Sequence, residues 1–248
     1  MMNSHSPIKL QVEQLIGTFS PNIPDDFEEA IQQLREIDSP TLVEIFTELL
    51  VDPAPETAIA ISKAIGYLNL NSAAHLLTNL VRQPGKWFSH SDRKAIRLAA
   101  IESIGAIRAS QCSETLHELL KNSRDLELQL EAVKALGIIG SSRSVAPLLE
   151  AMSENPPVAL SAAGALAQIG TEEAFAGLLA TLEHPEEMVL SAVVWALGEM
   201  RDERAVEPLI TLAQNADDFL KEDIIWALER IGTDSAKKAA EKIKRIIS

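Results

Sequence analysis

The stretch VVWALGEMRDERAVEPLITLA, residues 193–213, decides how this chain is read. An Ala/Val/Leu-rich helix tail carrying Trp195 runs through a short charged turn into a second Leu-rich segment. Thirty-one residues after Trp195 the chain spells IIWALERI, 224–231, and sets Trp226 at the equivalent place. With three Trp and one Tyr in 248 residues, such a recurrence needs a structural cause.

Working outward, the same tail returns as SKAIGYL (62–68), IESIGAI (101–107), VKALGII (133–139) and AGALAQI (163–169), and more weakly as IQQLREI (31–37). The residue after the Leu/Ile falls at 35, 66, 105, 137, 167, 198 and 229, spacings of 31, 39, 32, 30, 31 and 31. A near-constant period of this length marks stacked supersecondary units. Each period holds two helical segments, the second partner being SVAPLLEAM (144–152), AFAGLLATL (174–182) or AVEPLITLA (205–213). Gly140, Gly170 and Gly232 suit left-handed helix ends, while Pro40, Pro147, Pro185 and Pro208 fit first helical turns.

Each such hairpin has more apolar surface than it can bury alone, so hairpins stack side by side. The expected fold is all-α, a right-handed α-solenoid of about seven hairpins. It spans 26–248 with an inserted loop at 82–93, after an N-terminal capping helix and linker over 1–25. The final segment, SAKKAAEKIKRIIS (235–248), departs from the pattern as a cap should.

Composition agrees. Hydrophobic residues make up 46% and aromatics only 4%, and Ala, Leu, Ile and Glu favour helix. A net charge of −14 repels phosphate backbones, so no nucleic-acid partner is expected. No apolar run approaches membrane-spanning length and no signal-peptide core follows the first Met. The single Cys112 rules out an intrachain disulfide and fits a reducing, cytoplasmic setting.

The segments IRLAAIESIGAI (96–107), LEAVKALGIIGSSRSVAPLLEAM (130–152) and VVWALGEMRDERAVEPLITLA together resemble HEAT-like repeats of the phycobilisome-lyase type. The resemblance covers roughly 26–232. That family's second helix usually reads Asp-x-x-Val-Arg-x-x-Ala-Ala-x-Ala-Leu-Gly. At the Arg position this chain carries Ala58, Arg97, Gln129, Ala159, Leu190 and Lys221, so the family's polar ladder is expected to be largely lost. The resemblance implies bilin-lyase subunits, phycobilisome-degradation factors, iron–sulfur assembly partners or plain scaffolds.

Counting each ladder residue as zero, positions −1, −5 and −9 are apolar at helical spacing and form the buried stripe. Positions −3, −6, −7 and −10 share another face, which in a HEAT array looks into the concave groove. There position −3 brings Trp195 and Trp226, expected roughly 10 Å apart on adjacent rungs. Position −10 adds Met188 and Phe219, and position −7 adds Leu98, Leu130 and Leu160. Glu102, Glu127, Glu131, Glu222 and Asp223 edge this apolar track. The indoles either line the groove as a partner site or lie over the neighbouring rung as core.

The spacing of 39 inserts about eight residues in VRQPGKWFSHSDRK, 81–94. Trp87, Phe88 and His90 in that loop are candidate contacts, or else they plug the gap between rungs. No phosphate loop, His-Glu-x-x-His, paired Cys or nucleophile elbow is present, so an enzyme is not expected. Cys112 opens a helix, a position that can lower a thiol's pKa; with His117 and His75 near, it is a weak metal candidate.

The leading expectation is a non-enzymatic scaffold that receives another protein in the groove, without a cofactor. The alternatives implied by the resemblance are a bilin lyase or isomerase subunit holding a phycobilin or its apoprotein, and an iron–sulfur assembly partner sharing a cluster through Cys112.

Overall fold

The computed structural model describes residues 6–19, 24–153 and 155–247, and among these every regular element is helical. The residues expected to link the capping helix to the first repeat lie partly outside this range, at 20–23. The helices group into two compact units, Met1–Glu118 and Leu119–Ser248. The first holds α1 (Ser6–Gly17), α2 (Pro24–Arg35), α3 (Ser39–Leu49), α4 (Pro55–Tyr67), α5 (Ala74–Arg82) and α6 (His90–Ala106). The division falls inside α7 (Ser113–Asn122). The second unit continues with α8 (Leu126–Ile139), α9 (Val145–Ala151), α10 (Pro156–Ile169), α11 (Glu172–Ala180), α12 (Glu187–Met200), α13 (Val206–Ala213), α14 (Asp218–Ile231) and α15 (Asp234–Ile247).

Local chemistry sets these boundaries. The side chains of Asp38, Asp125, Asn155, Thr171 and Asp217 accept backbone N–H bonds at the starts of α3, α8, α10, α11 and α14. Such caps satisfy donors that have no partner within the helix. Gly140, Gly170 and Gly232 end α8, α10 and α14 in the left-handed region, at φ 73°, 64° and 78°. Asn69, Arg108 and Arg201 adopt the same turn without glycine, at φ 51°, 49° and 54°, which the sequence had not signalled. Pro185 precedes the N-cap Glu186 instead of entering the first turn of α12.

The buried stripe follows the ladder. In the second unit Leu136, Leu166, Leu197 and Leu228 at position −1 are buried, as are Ala132, Ala162, Val193 and Ile224 at position −5. Each buried Leu stabilises the fold by about 1.5–3 kcal/mol relative to exposure. The unit is therefore a stack of hairpins whose second helices α8, α10, α12 and α14 form one closely packed row, an α-solenoid arrangement. In the first unit α4 and α6 pack in the same way.

The zero position explains the recurring Gly. A Cβ on Gly198 would stand 2.9 Å from the Cα of Ala227, one on Gly137 3.1 Å from the Cα of Ala165, and one on Gly66 2.9 Å from Ser103 Oγ. Each Gly faces the small residue at position −2 of the next rung, so backbones come closer than any side chain would allow.

The polar ladder survives in two rungs, one more than the Arg count predicts. Arg97 Nε donates to the Val81 carbonyl at 2.9 Å, and Gln129 Nε2 donates to the Leu120 carbonyl at 3.3 Å. Each residue satisfies an orphan carbonyl in the last turn of its partner helix, α5 or α7. A buried amide performs the guanidinium's task, so Gln129 retains the function without the charge.

Candidate functional site

The close Gly198–Ala227 approach lays α12 and α14 side by side, with position −3 of each on an exposed face. Trp195 and Trp226 both stand on that face. Their rings are stacked, with centroids 6.3 Å apart and planes within 11°. The separation falls below the expected 10 Å, so the rings stand closer than ordinary helix spacing would place them. Trp195 also lies over Gly164 of α10, its Cζ3 3.5 Å from where a Cβ would be.

Neither indole is core. Trp195 is 42% exposed and Trp226 39%, and on the same helix faces Met188 is 65%, Phe219 81% and Leu160 57% exposed. Leu130 is half-buried. Exposed large apolar side chains that share a face mark an interaction site when they form a patch. Leu98, half-buried, and Glu102, exposed, belong to the first unit. There Glu102 shares a 230 Å³ hollow with Lys63, Gly66, Tyr67, Ser103 and Ala106.

Acidic groups surround the aromatic face. Glu222 is exposed and Asp223 half-buried on α14. Beside Met188, the Glu187 carboxyl is held above its ordinary range, first by its hydrogen bond with Asp217 and then by the charge of that group. Two carboxyls sharing one spot disfavour simultaneous ionisation. Other acids nearby already have cations: Asp218 pairs with Lys221 at 3.2 Å, Glu199 with Arg230 at 3.0 Å, and Glu131 with Lys134 at 3.2 Å.

The insertion is shorter than expected, a seven-residue connection at 83–89, because α6 begins at His90. Ser89 Oγ accepts from the Asp92 N–H at 3.1 Å and donates to the Asp92 carboxylate at 2.7 Å. That reciprocal cap pulls residues 90–93 into the helix. The two aromatics part ways. Phe88 folds onto Gly85, where φ is +112° and a Cβ would collide with the ring, whereas Trp87 is 95% exposed. His90 is exposed at the first turn of α6.

Cys112 closes a 3-10 turn ahead of α7 and is buried. Thr78 Oγ1 donates to its sulfur at 3.2 Å. Burial pushes the thiol pKa up, with the Thr78 bond opposing. The helix-start reading predicts the opposite direction, and desolvation wins because the thiol is buried. His117 sits 3.6 Å from Glu114 and His75 beside the Ser72 carbonyl. No group of three or more His, Cys, Asp or Glu side chains arranged for a metal occurs among the described residues.

One contact was not legible beforehand. Arg204 donates to Glu172 at 2.6 and 2.8 Å and to Asp202 at 2.6 Å, with its guanidinium 4.5 Å from the Phe175 ring centroid. The bonds from Arg204 hold both carboxylates below their usual range. This exposed network stitches consecutive hairpins in register and adds little stability.

A sequence profile described as HEAT repeats matches residues 85–163 and 146–229, more than half of the chain. The chain belongs to the HEAT-repeat family. No curated protein matches its sequence significantly. Among solved structures, YibA of Escherichia coli is 14% identical, covering 99% of this chain and 98% of its own, with a TM-score of 0.51. The CpcE–CpcF complex of phycocyanin lyase from Nostoc is 18% identical over 95% of this chain and 94% of that one, with a TM-score of 0.45. A designed armadillo repeat protein in complex with a (KR)4 peptide is 19% identical over 90% and 99%, also at 0.45. At such identities a superposition speaks to fold alone, and of these three the YibA one is close enough to do so. Among the described residues no helix is long and apolar enough to cross a membrane.

Proposed function

We propose that this HEAT-repeat protein is a non-enzymatic interaction scaffold that holds another protein on the face formed by α10, α12 and α14. The observation that carries the reading is the stacked, half-exposed Trp195–Trp226 pair. Two indoles kept at the surface, with Phe219, Met188 and Leu160 on the same helix faces, offer a partner an aromatic centre to desolvate, of the kind that dominates binding energy. The carboxylates around them select a partner whose apolar side chains alternate with Lys or Arg.

Titrating labelled amphipathic helical peptides into the protein tests this. A Leu/Lys peptide should bind, weaken as salt rises, and lose at least tenfold in affinity to Trp195→Ala/Trp226→Ala while the helical circular dichroism persists. Equal binding of a Leu/Glu counterpart, or undiminished binding by the double variant, would falsify the proposal.

The resemblance to phycobilisome-lyase repeats gives a phycobilisome-related, cytoplasmic setting as the natural place to look for the partner. A phycobilin could stack on the same indoles, but its propionates would face Glu222, Asp223 and the Glu187–Asp217 pair. New visible absorbance on mixing with phycocyanobilin would favour that second reading. An iron–sulfur role would need Cys112 as a thiolate, which burial opposes.

A further inference from the structure

The second half of α5, the insertion and the first half of α6 are rich in basic residues within an acidic chain. Arg82, Lys86, His90, Arg93, Lys94 and Arg97 fall within 82–97, with Asp92 the one acid in that stretch; of these, Arg82 pairs with Glu118 at 3.0 Å and Arg97 donates to the Val81 carbonyl. From their midst Trp87 projects with 95% of its surface exposed. Its presentation is built in: Pro84 is buried, Phe88 packs on Gly85, and Ser89 caps α6. Both ends of the short connection are tied down, so the backbone that carries Trp87 needs little further ordering on binding.

This basic, indole-bearing loop is chemically the counterpart of the acidic, indole-bearing face in the second unit. Resting on the reading of that face as a protein-binding site, we propose that the 83–89 loop of one copy docks on the Trp195–Trp226 face of a second copy. Trp87 stacks against the exposed edge of the indole pair, among Phe219 and Met188. Lys86 and the cations at the start of α6 meet Glu222 and the Glu187–Asp217 carboxyls. The face of α15 with Lys237, Lys238, Lys242 and Arg245, and Glu241 among them, is a second cationic surface; it offers Ile246 as its apolar anchor where the loop offers a tryptophan.

Every copy then carries one donor and one acceptor surface. Association either closes reciprocally or runs head to tail. A single loop in a shallow site gives a weak, salt-sensitive assembly.

Sedimentation velocity of the full chain over a concentration series tests the proposal, with circular dichroism confirming that each variant folds. The wild type should form dimers or longer species that dissolve severalfold in high salt. Trp87→Ala, which lacks the donor, and Trp195→Ala/Trp226→Ala, which lacks the acceptor, should each be monomeric. Mixed one to one, they should form a heterodimer and nothing larger, because each restores the surface the other has lost. Lys238→Glu/Lys242→Glu should associate like the wild type. A wild type that stays monomeric throughout, mixed variants that stay apart, or loss of association in the α15 variant in place of the Trp87 variant would each overturn the proposal. If the monomeric wild type still binds the Leu/Lys peptide through its indole face, self-docking fails and the scaffold reading stands; if it binds neither, both fall.

Discussion

Trp195 and Trp226 lie with ring centroids 6.3 Å apart and planes 11° from parallel, each on the second helix of its hairpin. Surface indoles in that relation stabilise each other as well as the face they form. A double-mutant cycle on Trp195→Ala and Trp226→Ala should yield a coupling of about 0.5–1.5 kcal/mol in unfolding free energy. Strict additivity would mean that the stack contributes nothing beyond each ring's own burial.

Two glycines on this row should respond in opposite directions. At Gly164 an added Cβ meets Trp195 at an ordinary 3.5 Å, so Gly164→Ala should stabilise by up to about 1 kcal/mol through helix propensity. At Gly198 it meets the Cα of Ala227 at 2.9 Å and Trp226 at 3.0 Å. Gly198→Ala should therefore destabilise by about 1–2 kcal/mol, since overpacking outweighs propensity. Thermal melts of the pair decide it, and a stabilised Gly198 variant would refute the close-approach account.

Glu187 titrates above the usual carboxylate range because Asp217 faces it. The stability tied to its protonated form is present below the ordinary carboxylate pKa and lost as pH rises through the raised value. At neutral pH the pair repels. Asp217→Asn keeps an N-cap of equal quality while removing that charge. NMR titration should show the Glu187 pKa falling, and the melting temperature should rise at neutral pH but not in acid. An unmoved Glu187 titration would exclude Asp217 as the cause.

Cys112 should behave as a packed apolar residue. With burial raising its pKa, iodoacetamide at mildly alkaline pH should label the native protein far more slowly than the denatured chain. Labelling at the rate of an unstructured thiol would restore the reactive reading.

The period of about 31 residues, the Leu/Ala stripe and the Gly and Pro punctuation are all local features, so the hairpins, the glycine-terminated helix ends and the HEAT-repeat family were readable from the sequence by itself, whereas the left-handed ends at Asn69, Arg108 and Arg201 were not. So was the shared face of Trp195 and Trp226, since three-residue and four-residue spacings assign faces without any fold. Whether that face met water or a neighbouring rung depended on how far each hairpin rotates on the next. Contacts between residues about thirty apart decide that, such as Gly198 on Ala227, and no helix period encodes them. The same holds for Gln129 standing in for Arg97's kind of bond, for Phe88 folding inward while Trp87 points out, and for Cys112, where helix-end electrostatics and desolvation pull oppositely and only the depth of burial chooses between them.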